Sequence, residues 1–225
     1  RVGIVDRAST GADLAEALRK QGGDVVFACA DITAEADVAR AVGEVVDAFG
    51  GLDTVLGCAG ISGPVGARLG EIETSAWDQV MAVNVRGNFL LTKHTIGHLQ
   101  RSDLATIVFL ASDSAFVAFD GMGPYTASKR AVVALTKAVA VDYPEVRVNA
   151  LCPGIVDTPM SRADMGRPDG FEGTGLPVMA ASQLAGHALF LASPRSAPAN
   201  ATTLVSDFGY RARSPLGALD FDDQQ

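Results

Sequence analysis

The chain has 225 residues, 48% of them apolar, and a net charge of −8. That length suits one well-buried domain, and an acidic balance without a basic run excludes nucleic acid while leaving neutral or small anionic ligands open. No apolar run reaches the ~20 residues of a membrane span, and the start of the chain lacks the zones of a signal peptide.

Val2 to Val5 reads as a short buried strand ending at Asp6, followed by a helical pattern of Leu14, Ala15, Ala17 and Leu18 over Gly11 to Lys20. Asp24 to Ala30 is a second apolar strand closed by Asp31, and Glu35 to Phe49 carries Val38, Ala41, Val42, Val45 and Val46 at helical spacing before a Gly50-Gly51 stop. A strand resumes over Leu52 to Leu56. A long helix follows over Ser75 to Gln100, then a strand over Thr106 to Leu110, a helix over Tyr125 to Asp142 and a strand over Val146 to Leu151. The series closes with a helix over Ser182 to Ala192 and a strand over Thr203 to Val205. Strands that are apolar throughout, alternating with helices, predict a doubly wound α/β fold with one parallel sheet.

Ile155 to Pro177 is rich in Gly, Pro, Asp and Met and too long for an ordinary connection, so it reads as a lid over a pocket. Residues 1–210 form the predicted domain and residues 211–225 a polar tail, frayed or docked on a neighbour. In open parallel sheets ligands bind beyond the carboxyl ends of the strands. Asp6, Asp31, Ala59-Gly60, Ser112 and Pro153-Gly154 each follow such an end.

Tyr125 and Lys129 stand four apart, which places a phenol and an ammonium on one helix face. A cation about 4 Å away at an effective dielectric of ~20 contributes ~4 kcal/mol, enough to bring a tyrosine of pKa ~10 down by at most about three units. The spacing therefore predicts an acidified Tyr125 that can exchange a proton. An exposed surface pair is the plainer reading of the same spacing.

Several motifs in register resemble the classical short-chain dehydrogenase/reductase family over nearly the whole chain. Tyr125-Thr126-Ala127-Ser128-Lys129 matches its Tyr-x-x-x-Lys, and Ser112, thirteen residues earlier, its serine. Asn84 in Asn-Val-Arg-Gly matches its asparagine, Asp31-Ile32-Thr33 its Asp-Val-Thr, and Pro153-Gly154-Ile155-Val156-Asp157-Thr158 its Pro-Gly-x-Val-x-Thr. The resemblance implies a Rossmann-like fold and hydride transfer between a nicotinamide and a secondary alcohol or ketone. It makes Tyr125 the proton-exchanging group, Lys129 the residue that acidifies it and bonds the nicotinamide ribose, Ser112 the residue that polarises the carbonyl, and Asn84 the holder of a relay water. Cofactor contacts would come from Asp6, Asp31, Ile32, Cys58, Ala59, Gly60, Tyr125, Lys129, Pro153, Gly154, Val156 and Thr158. Asp6 would accept ribose hydroxyls and repel a 2′-phosphate, favouring NAD over NADP. Homo-tetramers or homo-dimers are implied through the helices holding Asn84 and Tyr125.

The chain departs from the family pattern in three places. No Gly-rich TGxxxGxG stretch precedes Arg1, and the distance from Val5 to Asp31 fits the family's second strand, so a first strand, glycine loop and helix are expected to be missing from the sequence. A truncated, non-catalytic binding or scaffold protein is the alternative reading. The family's Asn-Asn-Ala-Gly stands here as Gly57-Cys58-Ala59-Gly60, and its Asp-Gly-Gly as Asp207-Phe208-Gly209.

The remaining candidates are weaker. Ser114 rivals Ser112, and Asn84 could simply bond its helix neighbours. His94 and His98 share a helix face but lack a third ligand, so no metal is predicted. Met160, Met165, Phe171 and Met179 either line an apolar pocket or pack the lid, and His187 is core or surface. Cys29, Cys58 and Cys152 sit in apolar contexts that suit reduced core thiols, hence a cytoplasmic protein.

Overall fold

A computed structural model of the protein describes residues 1–212, so most of the predicted tail lies outside the described residues. Eight strands and seven α-helices alternate through it, and every strand pair is parallel. The chain begins β1 (Val2–Asp6), α1 (Gly11–Lys20), β2 (Val25–Cys29), α2 (Glu35–Phe49) and β3 (Thr54–Gly57). It continues α3 (Thr74–Met81), α4 (Gly87–Leu99), β4 (Thr106–Leu110), α5 (Gly123–Asp142) and β5 (Arg147–Pro153). Then come β6 (Ile155–Asp157), α6 (Pro159–Asp164), β7 (Val178–Ala180), α7 (Ala181–Ala192) and β8 (Thr203–Ser206).

The expectation of parallel strands between helices holds, but the strands do not form one sheet. Four stand in the order β3-β4-β5-β8, β1 pairs only with β2, and β6 pairs only with β7. Between β1 and β3 lies a slot of about 390 Å³ walled by Gly3, Val5, Val38, Val45, Val55 and Leu56. Both bordering strands turn an unpaired edge into it. For that reason β1, expected to be buried, is mostly exposed, with Val2 at 50% and Val5 at 39%.

The four-stranded sheet owes its stability to its two faces. Ile107, Phe109, Val148 and Ala150 pack against Val132, Val133, Val139 and Ala140 of α5, while Val108 and Leu151 meet Leu191 of α7 on the other side. Each such side chain contributes roughly 1.5–3 kcal/mol when fully buried. Arg147 fastens β5 to the end of α7, its guanidinium donating to Ser193 O at 3.0 Å and Ser196 Oγ at 2.7 Å. A cation there meets the negative end of the helix. The β1–β2 unit is held by α2, whose Val38 and Val42 pack on Leu90 of α4 and whose Val45 sits flush on Gly3, where a Cβ would lie 2.6 Å from a valine methyl.

Two stretches differ in detail from expectation. The long helix is interrupted by a π-turn over Ala82–Arg86, which joins α3 to α4 and carries Asn84. The lid has its own structure, because β6, α6 and β7 fold within or beside it.

Candidate active site

The carboxyl ends of β3, β4 and β5 gather the predicted catalytic group. Lys129, on α5, reaches back to donate to Leu110 O at the end of β4 at 2.9 Å, and its Nζ lies 5.4 Å from the centre of the Tyr125 ring one helical turn away. Ser112 follows β4 and caps a short 3₁₀ turn over Asp113–Ala115, accepting the Ser114 N–H at 3.1 Å. Its hydroxyl donates to Asp113 Oδ1 at 2.9 Å and faces the Tyr125 phenol. Ser114, the rival, lies behind Ser112 at 3.2 Å.

Asn84 is fully buried and makes three side-chain hydrogen bonds. Its Oδ1 accepts the Ile61 N–H at 2.8 Å, and its Nδ2 donates to Ile61 O and to Ser128 Oγ, both at 2.9 Å. These three bonds clamp the loop after β3 to α5 and leave one lone pair of Oδ1 unused. A π-turn, common at functional sites, provides the extra residue that turns Asn84 inward.

The electrostatics correct one expectation. Burial pushes the Tyr125 phenol up to about 12, against a hydrogen bond from Ser112, with Asp113 and Asp164 adding like charge. Burial also brings Lys129 down to about 8. Desolvation penalises either charge and outweighs the attraction the spacing suggested, since the ammonium lies over the ring and is bonded to a carbonyl.

The cofactor candidates fall into three groups. Asp6, Asp31, Ile32, Cys58, Ala59 and Gly60 all border the slot between β1 and β3. Asp6 Oδ1 accepts the Ala8 N–H at 2.8 Å; Asp31 Oδ1 accepts the N–H and the hydroxyl of Thr33, both at 2.8 Å, which hold its carboxyl below the usual range. Gly60 faces the catalytic group, where a Cβ would stand 3.3 Å from Lys129 Nζ and 3.4 Å from Asn84 Oδ1. Pro153 and Gly154 form the second group: Gly154 N–H pairs with Ser206 O at 2.9 Å, and a Cβ there would lie 3.2 Å from Asp207 Cβ. Val156 and Thr158 form the third and serve the lid, Val156 opposite Met179 in the β6–β7 pair and Thr158 capping α6 through the Ser161 N–H at 3.3 Å.

The other candidates resolve simply. Phe171 and Met179 are buried in the lid, whereas Met160 and Met165 are exposed. His94 lies 3.3 Å from Glu35 across α2 and α4, His98 faces Arg101, and His187 bonds Ser206 Oγ at 2.7 Å. The cysteines correct another expectation: Cys152 is buried, but Cys29 and Cys58 are exposed, because β2 and the turn after β3 belong to the interrupted side of the sheet.

Sequence reasoning missed Asn88, Asp113, Ser62 and Asp164. Asn88 fills the space over Gly57, where a Cβ would stand 2.2 Å from its Oδ1, and donates to Asn84 O at 2.7 Å. Its position one turn after Asn84 was the available signal. Asp113 accepts the Ser112 hydroxyl at 2.9 Å, and Ser62 donates to Asp164 Oδ2 at 2.5 Å, tying the loop after β3 to α6. Ser62 and Asp164, 102 residues apart, carried no signal at all.

A parallel α/β sheet with a serine, tyrosine and lysine at its carboxyl edge defines a Rossmann-like oxidoreductase scaffold. A family model described as enoyl-(acyl carrier protein) reductase matches residues 1–211, and the chain belongs to the short-chain dehydrogenase/reductase family. It is 37% identical over 193 residues to the 2-(R)-hydroxypropyl-CoM dehydrogenase of Xanthobacter autotrophicus, covering 81% of this chain and 76% of that protein. It spans 54% and 64% of the length of two other relatives. Among solved structures it resembles a 3-oxoacyl-[acyl-carrier protein] reductase from Brucella melitensis in complex with NAD (TM-score 0.85, 26% identity, 94% and 87% of the two chains). It likewise resembles a gluconate 5-dehydrogenase from Burkholderia cenocepacia in complex with NADP and tartrate (TM-score 0.83, 29% identity, 94% and 86%). No helix among the described residues is long and apolar enough to cross a membrane.

Proposed function

We propose that the protein transfers a hydride between NAD(H) and a secondary alcohol or ketone. The observation that carries this is the convergence of Ser112, Tyr125 and Lys129 beneath Gly60 at the ends of β3 to β5. The residues fit the nicotinamide and ribose end of the cofactor, because Gly60 leaves open the space that a Cβ would take beside Lys129. NAD, when bound, supplies the hydride acceptor and a positively charged ring. The chain's own groups handle the oxygen. In ketone reduction Ser112 donates a hydrogen bond to it, and Tyr125, held neutral at pH 7 by burial, delivers the proton as an alkoxide develops; in alcohol oxidation by NAD the proton runs the other way, from the alcohol to the Tyr125 oxygen. Lys129 keeps donors free beyond its single bond to Leu110 O and can reach ribose hydroxyls.

The exposed carboxylate of Asp6, beside the slot, supports NAD over NADP. Turnover of secondary alcohols, followed by NADH absorbance, tests both parts of the proposal. Tyr125→Phe should lose turnover by 10³-fold or more while cofactor affinity stays within about twofold, on the scale of losing a proton-transfer group. A Phe variant of undiminished activity, or a clear advantage for NADP, overturns the corresponding part.

A homo-oligomer built on α4 and α5 is supported by Phe89 and Val141, apolar and 50% and 76% exposed on those helices. Sedimentation should give a dimer or tetramer that Val141→Asp weakens. The three free cysteines support a cytoplasmic location.

A further inference from the structure

We propose that Asp113 positions the Ser112 proton, its carboxylate competing with the substrate oxygen for the one hydrogen that Ser112 can donate. The proposal rests on the hydride-transfer reading of the site. A hydroxyl has one proton and two lone pairs. Here the proton goes to Asp113 Oδ1 at 2.9 Å, and one lone pair takes the Ser114 N–H at 3.1 Å. Ser114 Oγ lies 3.2 Å from the same hydroxyl, and the neutral Tyr125 phenol faces its remaining lone pair, so the one Ser112 proton, held by Asp113, is what an incoming substrate oxygen must compete for.

What decides between them is the charge on Asp113, and its surroundings make that charge costly. Asp113 is 7% exposed and Asp207 6%, and both residues lie against Gly154, where a Cβ would stand 3.6 Å from Asp113 Oδ2 and 3.2 Å from Asp207 Cβ; the Asp207 charge acts on Asp113. Asp207 is compensated. Its oxygens accept the Gly209 N–H at 2.8 Å and the Arg211 N–H at 3.1 Å, with the Arg211 guanidinium 3.9 Å away. Asp113 lacks an ion pair among the described residues, so its charge is the less compensated of the two.

The other groups that bear on it are few. Tyr125 comes from α5 and Cys152 from β5, while Arg130 of α5 spends its guanidinium on Ala115 O at 2.6 Å in the same turn. Asp164 of α6 acts on Tyr125. Burial first, and Asp207 after the hydrogen bonds, push the Asp113 carboxyl above the usual carboxylate range.

The sign follows. Below its titration Asp113 is neutral, its own hydroxyl can donate to Ser112 Oγ, and the serine proton is released to the substrate oxygen. Above it the carboxylate holds that proton, and turnover falls as pH rises through the Asp113 titration. An amide at this position cannot ionise, and it accepts a hydrogen bond more weakly than a carboxylate.

Two measurements test the proposal. Carboxyl ¹³C NMR, with Asp113 assigned by its loss in Asp113→Asn, should show Asp113 titrating about one unit higher in Ser112→Ala, the size of a hydrogen bond to an ionised group. An unchanged titration overturns the coupling, and this measurement does not require turnover. In the active enzyme, kcat should carry a descending limb at that same pH, absent in Asp113→Asn, with the variant up to about tenfold faster above it. The same limb in both enzymes overturns the proposal. Absence of NAD-linked turnover in the unaltered protein, beside a shifted NMR titration, would instead sink the hydride-transfer reading and leave the Asp113–Ser112 link standing.

Discussion

Lys129 shows how a residue selected for chemistry weighs on stability. Its ammonium is 4% exposed and has one acceptor, Leu110 O, so burial lowers its pKa to about 8 from an unfolded value of ~10.4. The unfolded chain therefore binds more protons between those values, and stability rises with pH across about 8 to 10. Tyr125 has the opposite sign. Its phenol is raised to about 12, so the folded state binds more protons above pH ~10, and its contribution is lost as pH rises toward 12. Lys129→Met removes the buried charge at nearly constant shape. At pH 7 the variant should be more stable than the parent by up to ~3 kcal/mol, the equivalent of the pKa displacement, with the gap closing by pH 10. Urea melts at the two pH values check this; a variant less stable at pH 7 would mean that the bond to Leu110 O outweighs desolvation.

At the scale of elements, the lid is where the sequence was least informative. Its composition marked Ile155 to Pro177 as more than a connection, yet β6, α6 and β7 have three, six and three residues, too short for a hydrophobic period to declare itself. The bond that fastens the lid to the rest of the chain is non-local, Ser62 to Asp164 at 2.5 Å, and within the lid Arg162 pairs with Asp157 at 2.6 and 3.0 Å. The helices and the four-stranded sheet were legible for the converse reason. Val38, Ala41, Val42 and Val45 repeat at helical spacing over fifteen residues, and strand runs such as Thr106–Leu110 are apolar on both faces because helices cover both. Motif spacing located Ser112, Tyr125 and Lys129, but spacing is blind to burial, so it gave the acidity of Tyr125 the wrong sign. Ser62→Ala removes the bond to Asp164 and leaves the rest of the lid in place. Limited proteolysis within residues 165–177 should then run roughly five- to thirtyfold faster, as expected for the loss of about 1–2 kcal/mol from a local opening. An unchanged cleavage rate would place the closure elsewhere, in Phe171 and Met179.

For the molecule as a whole, the break between β1 and β3 divides the chain into parts of unequal security. The β3-β4-β5-β8 sheet has helices on both faces and a core that includes Ile107, Phe109, Val148 and Leu151, all at or below 1% exposure. The β1–β2 pair has five ladder positions, and α2 is its main tie to the rest, through Val38 and Val42 on Leu90 with Ile32, Val46, Leu52 and Leu91 around them. A two-stranded unit with both edges open is marginal by itself, so its persistence depends on that contact. Because Asp6 and Asp31 sit on this unit while Ser112, Tyr125 and Lys129 sit on the other, the same tie governs whether the two halves of the proposed cofactor site share a frame. Native-state hydrogen exchange should show the amides of Val25 to Cys29 opening at lower free energy than those of Ile107 to Phe109 and Val148 to Leu151, in one cooperative step with α2. Leu90→Ala, which removes the surface α2 rests on, should lower the first value by about 2–4 kcal/mol; it should reach the second only through global unfolding. Equal protection of both strand sets in the parent protein would show that the slot is bridged in solution and that the two pieces unfold as one.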